Sequence, residues 1–173
     1  MKNALATILS FFLFLNLVIA QNWNTIQLID FASIDFPDRP EKNALSNQTV
    51  FMVTDSIGIY MVMVRPLKDE QKTLAATDLE KYYETFIEAS LALSKGKLVS
   101  KKTVDVKGLK GMEYKVNVTN KDQVTNVRFA KILAINDYLI CVNFWTDERV
   151  EKKAEELKNY FFISFSASAN TDR

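Results

Sequence analysis

The chain contains no histidine, one cysteine, four glycines and three prolines in 173 residues. Without histidine it has no Ser-His-Asp or Cys-His nucleophile system, no imidazole ligand for zinc and no imidazole pH switch. With Cys141 alone, an intramolecular disulfide, a dithiol redox motif and a thiolate metal cluster are all excluded. The glycines fall outside any phosphate-binding spacing, so a nucleotide loop has no support. No catalytic residue, metal ligand set or cofactor is assigned on these grounds. An excess of one charge is missing too. Lys2 lies in the leader described next, and without it the basic residues equal the 21 acidic ones. Nucleic acid, which needs clustered excess positive charge, is therefore not an expected partner.

One long apolar run is present, at the N-terminus. Met1-Lys2-Asn3 carries a single positive charge, and residues 4–20 follow with none, centred on the Phe/Leu stretch 11–15. That order is the one a secretory signal uses. Val18 and Ala20 supply the small residues that signal peptidase accepts, which places the cut between Ala20 and Gln21. An uncleaved anchor is the alternative. The run is interrupted by Asn16, lacks positive charge on its far side, and falls just short of the ~20 residues a span requires. Position 21 is Gln rather than Cys, so no lipid is attached there. Residues 1–20 thus read as a signal peptide and residues 21–173 as one α/β domain, periplasmic or secreted, with no transmembrane segment once the signal is removed. A chain of that length buries roughly 70% of its unfolded surface and needs no covalent staple.

Along the domain, residues 31–36 alternate, with Ala32, Ile34 and Phe36 on one side, and stop at Pro37, which marks a strand. Residues 37–48 read as a polar loop. Residues 49–53 and 57–64 form a hairpin around Thr54-Asp55-Ser56. Thr77-Asp78-Leu79-Glu80 has the order of a capping box, with Thr77 at the cap, and opens a helix over 78–95 that Gly96 ends. Its stripe is Leu79, Tyr83, Phe86, Ser90 and Leu93, with Tyr82, Ile87 and Leu91 beside it. The segment 67–77 before it reads as a loop. Strands follow at 98–106, 112–118, 124–135 and 138–145, turning at 108–111 and at Asn136-Asp137, the latter a two-residue hairpin signal. Thr146-Asp147 caps a second helix with Val150, Ala154, Leu157 and Phe161 on one face. Residues 161–168 close the chain as a strand, and 169–173 read as a loose tail. There is no repeat and no linker.

The layering follows from residues 132–135 and 138–142, apolar at consecutive positions where a half-wet strand would alternate. Both faces must be covered. With two main helices available, the expected fold is α+β: a three-layer α/β/α sandwich around a mostly antiparallel sheet of about seven strands.

Each side chain that might carry chemistry has a plainer use. Cys141 sits in a continuous apolar strand with no base nearby in sequence, as buried cysteines do. The carboxylates Asp78, Glu80, Glu84 and Glu88, and Glu148, Glu151, Glu155 and Glu156, suit helix surfaces better than a pair facing across a cleft. The basic run Lys95, Lys97, Lys101, Lys102, Lys107 and Lys110 reads as a solvated strand face. Among aromatic residues, Trp23 and Trp145 are the two whose place in a binding surface is open. Sequons at Asn47 and Asn117 carry no meaning in a bacterium, the source that the Lys/Asn-rich composition and missing disulfide suggest.

Residues 31–40, Phe-Ala-Ser-Ile-Asp-Phe-Pro-Asp-Arg-Pro, resemble the first strand and "FP-x-x-P" turn of many small exported bacterial domains. Residues 155–166, Glu-Glu-Leu-Lys-Asn-Tyr-Phe-Phe-Ile-Ser-Phe-Ser, resemble their last helix and "F-x-x-SF" close. Such domains are similar to the PsbP-like superfamily, whose fold is an antiparallel sheet between helices. The resemblance implies a binding or accessory module rather than an enzyme. Its photosynthetic members are extrinsic subunits of the oxygen-evolving complex, and no residue here carries that role over.

The first functional expectation is an exported, non-enzymatic binding or accessory module acting on an unknown protein or envelope partner. The second is a carrier of a small apolar molecule or lipid in a pocket between helix 78–95 and the sheet, with Phe86 and Tyr83 at its wall. A carboxylate-dependent hydrolase ranks third. Intact-mass measurement of the protein recovered from its host should show a chain beginning at Gln21; retention of residues 1–20 would establish the anchor instead.

Overall fold

Residues 139–144 are all buried, each at 1% exposure or less, so the strand that carries them has a layer on either side. The computed structural model describes residues 23–168. The leader, the Ala20/Gln21 cleavage site and the tail at 169–173 lie outside the described residues. In chain order the elements are β1 (Asn24–Ile29), β2 (Ala32–Phe36), β3 (Glu41–Leu45), β4 (Gln48–Thr54) and β5 (Ile59–Pro66), then α1 (Asp69–Thr77) and α2 (Leu79–Ser94). They continue with β6 (Lys97–Val106), β7 (Leu109–Thr119), β8 (Thr125–Ile135) and β9 (Tyr138–Asp147). A 3-10 turn (Glu148–Val150), α3 (Glu151–Ser164) and β10 (Ser166–Ala167) complete them.

Seven strands form one antiparallel sheet in the order β3-β4-β5-β9-β8-β7-β6, and β1-β2-β10 form a second, smaller one. The fold is α+β around a central sheet, as the apolar runs require. The period-two alternation of each strand then decides which layer it feeds. Tyr60, Val62 and Val64 of β5, with Ile140, Val142 and Phe144 of β9, pack against α3 and the small sheet. Phe161 of α3 stacks edge-on with Phe36 and Tyr60, and Trp23 closes the same cluster against Tyr60, Tyr160 and Phe161. On the opposite face Met112, Tyr114, Ala130, Ile132, Leu139 and Cys141 pack beneath Tyr82, Tyr83 and Ile87 of α2.

The Asn136-Asp137 hairpin forms as expected, with both residues at positive φ, the geometry a two-residue turn needs to match strand twist. Four other expectations are corrected. Residues 37–48 are not a loop: β3 lies there, unrecognised because all five of its residues are exposed and an edge strand carries no buried alternation. Residues 67–77 are not a loop either. They form α1, opened by acidic Asp69 and Glu70 and by the Gln71 side chain, which accepts from the Lys68 N–H at 3.2 Å. Among the described residues there are therefore three helices, with α1 and α2 on one face. Because α1 takes Thr77 into its last turn, its hydroxyl bonds back to the Thr73 carbonyl. Asp78 caps α2 in its place, accepting from Lys81 N–H at 3.0 Å. The closing strand is also shorter than 161–168. Phe161 continues the helical face begun at Ala154, so burial keeps the chain helical to Ser164 and leaves only Ser166–Ala167 for β10.

One hydroxyl fixes α2 on the sheet. Tyr83 Oη donates to the Lys110 carbonyl at 2.9 Å and accepts from the Ala134 N–H at 2.8 Å, spanning β7 and β8 just past their last paired residues, Gly111 and Leu133. Burial pushes this phenol up to about 12. Stability that depends on the protonated form is full below the ordinary value near 10 and is lost as pH rises towards 12. Tyr83→Phe should cost about 1 kcal/mol in denaturant unfolding, because the part-buried Ala134 N–H and Lys110 carbonyl lose their partner. The variant should also lose less stability than the parent between pH 10 and 12. An unchanged midpoint would show the bridge to be dispensable.

Candidate functional site

Helix α2 sits over β7, β8 and β9 and leaves the β4–β5 half of that sheet face less covered. A groove of about 470 Å³ opens there. Its floor comes from alternate positions of adjacent strands: Met61 and Met63 on β5, Cys141 and Asn143 on β9, and Arg128 on β8. Register places Met61 opposite Asn143 and Met63 opposite Cys141, so these side chains lie in rows. Leu74 of α1 and Phe86, Ala89 and Leu93 of α2 form the wall. Apolar walls with a few convergent polar groups are the usual make-up of a small-molecule site, and 470 Å³ is within its usual size. The methionines add a deformable floor.

The polar end is built around Arg128, which is 9% exposed. Its Nε donates to Asn143 Oδ1 at 2.8 Å, Nη1 to Ser90 Oγ at 2.7 Å and Nη2 to Tyr114 Oη at 3.2 Å. The guanidinium lies 5.3 Å from the Trp145 ring centre and 5.7 Å from that of Tyr114, a cation over aromatic faces. All three acceptors are neutral. Among the described residues no carboxylate comes within ion-pair distance of it, and no acidic side chain lines the groove. Lys131, equally buried on the other face of the sheet, has a different environment: it pairs with Glu113 at 3.2 Å and donates to the Phe162 carbonyl at 3.1 Å. Arg65 adds a second guanidinium to the groove wall. Its Nε is buried without a hydrogen-bond partner, as is the neighbouring Tyr82 hydroxyl. Burial raises that phenol above its usual value, and Arg65 opposes the shift.

The Cys141 thiol is pushed up by burial, with Arg128 and the 3.2 Å bond from Asn143 Nδ2 acting against it. Tyr114 is likewise raised, first by burial and then by Cys141, and Arg128 pulls it back. Both groups hold their protons at neutral pH, so Arg128 is the fixed charge of this end.

The carboxylates considered from the sequence do not converge. Asp78 caps α2, Glu84 pairs with Lys101, Glu151 pairs with Lys115 at 2.6 Å, and Glu80, Glu88, Glu148, Glu155 and Glu156 are exposed. The basic run is broken up: Lys102 pairs with Glu113, Lys110 with Asp105, and Lys107 donates to Ser166. Trp23 fills core space, and Trp145 covers Arg128. Phe86 lines the groove as expected, whereas Tyr83 turns to the far end of β7 and β8. Arg65, Arg128 and Asn143 were not singled out in the sequence. A charged residue two positions from Ala130 and four from Ile132, on the face those residues bury, was the available sign. Among the described residues no cluster fit to hold a metal ion occurs, and no helix is long and apolar enough to cross a membrane.

No family model matches the chain, and no curated protein matches it. Solved structures do. Cyanobacterial PsbP (CyanoP) from Synechocystis sp. PCC 6803 aligns over 87% of this chain and 95% of its own, with a TM-score of 0.66 at 14% identity. The fold is PsbP-like. A protein of unknown function from Pseudomonas aeruginosa follows the same path at a TM-score of 0.53 and 8% identity, covering 86% of this chain and 99% of that one. At these identities the likeness concerns the PsbP-like backbone, and the groove must be read from its own residues.

Iodoacetamide should leave Cys141 unmodified in the native protein and alkylate it fully in denaturant, as seen by intact mass. Native-state labelling within minutes would mean that the floor of the PsbP-like domain opens to solvent.

Proposed function

We propose that this protein is an exported, non-enzymatic binding module that holds a small apolar molecule in the groove between α2 and the sheet. The groove carries this reading: a volume of about 470 Å³ with Met61, Met63, Leu74 and Phe86 at its apolar walls. Support for a non-enzymatic role comes from the scattered carboxylates and from a lone cysteine that is buried and protonated. The leader at residues 1–20 and its Ala20/Gln21 junction support export to a bacterial periplasm or beyond, with residues 21–173 as the working domain. The PsbP-like fold is in keeping with an accessory role. An envelope or protein partner would meet the groove at its rim, where Leu93 is 87% exposed.

Titration with a neutral fluorescent probe such as Nile red should give saturable binding of one molecule per chain. Ala89→Trp, which fills the groove from an exposed position, should weaken it at least tenfold. Binding that Ala89→Trp leaves unaltered, or no saturable binding at all, would remove the groove as the site.

A further inference from the structure

We propose that the groove selects a carboxylate carried on an apolar chain, with Arg128 as the residue that receives the charge and Arg65 beside it. The proposal rests on the groove being a small-molecule site and names the class of molecule.

A guanidinium is charged at every accessible pH, and a buried cation without a counter-ion is costly. Arg128 uses three of its five N–H groups on neutral oxygens and also interacts with the protonated Cys141 thiol, so no negative charge meets it among the described residues. Two more buried polar atoms on the same wall, Arg65 Nε and Tyr82 Oη, make no hydrogen bond of good geometry, only the contact between Arg65 and the phenol. The polar end of the groove therefore offers two positive charges and unmet donors. An anion supplies what all three lack. The remaining surface runs from Met61 and Met63 to Leu74, Phe86 and Leu93, with Gln48, Gln71 and Thr85 as its uncharged polar members, and suits a hydrocarbon chain.

The type of anion follows from how Arg128 is held. Asn143, Ser90 and Tyr114 occupy three of its donors, and the Trp145 and Tyr114 rings lie alongside. Only part of the guanidinium edge remains. A flat, singly charged carboxylate with two acceptor oxygens fits that remainder. A tetrahedral phosphate has three terminal oxygens, one more than the two Arg128 N–H groups that bond to no oxygen.

Calorimetric titration of the purified protein with decanoate, decanol and decyl phosphate separates these ideas. Wild type should bind decanoate about 10- to 100-fold more tightly than decanol, the worth of hydrogen bonds to a charged group. Arg128→Gln should bring the two within threefold of each other, chiefly by loss of decanoate affinity, a selective loss that a merely structural role for Arg128 would not produce. Arg65→Gln, at a partly exposed position, should reduce the preference severalfold and serves if Arg128→Gln does not fold. Equal binding of decanoate and decanol by wild type, or a preference that survives both substitutions, would overturn the proposal and leave the groove a neutral apolar site. Tighter binding of decyl phosphate than of decanoate would overturn the choice of carboxylate. Failure of all three ligands would instead count against the groove as a binding site.

Discussion

A strand that is apolar on both faces cannot be stable until two layers cover it, and β9 is such a strand. Its residues 139–144 are essentially without solvent contact, and Tyr60 and Val62 of β5 and Ile132 and Leu133 of β8 beside them are buried just as fully. At about 25 cal/mol per Å² of apolar surface removed from water, this double burial is a major source of stability for a chain whose single cysteine allows no intramolecular disulfide. The rest of the architecture answers to it. The helical hairpin of α1 and α2 closes one face, and α3 with the small sheet closes the other.

The two covers differ in extent. On the α3 side, the small sheet widens the layer until it reaches Phe51 and Val53 of β4. On the α2 side, the Tyr83 bridge draws the helix towards β7 and β8, so β5 keeps Met61, Met63 and Arg65 at a partly open surface. The groove is a product of this asymmetry. Arg128 lies where the covered part meets the open part. One of its donors reaches Ser90 on the helix and another reaches Asn143 on the sheet, so a single cation both joins the layers and charges the end of the groove.

Sequence patterns disclosed what packing dictates. Doubly apolar runs predicted the buried strands, the Asn136-Asp137 pair predicted its hairpin, and helical spacing predicted α2 and most of α3. Elements that packing hardly touches stayed silent. Exposed β3 shows no alternation, β1 is half exposed with Leu28 its one buried residue and was not assigned, and α1 has little apolar surface to bury. The end of α3 was misread because Phe161 and Phe162 suit a strand as well as a helix, and only the neighbouring Phe36 and Tyr60 rings decide between them. The site was legible in outline, as a pocket beside helix 78–95 lined by Phe86. Its chemistry was not: spacing from Ala130 and Ile132 put Arg128 on their buried face, but its partners Asn143 and Ser90 come only with the packing of β9 and α2 around it.

The order β3-β4-β5-β9-β8-β7-β6 divides the large sheet into two meanders, each made of neighbours in sequence and joined only along β5 and β9. Pro66 and Tyr138 stand opposite each other at that seam, with both helices of one layer and three strands contained in the chain between them. Each meander can assemble from local contacts. The seam cannot, so the long-range loop closure of the large sheet is concentrated in one pairing, where β5 and β9 meet.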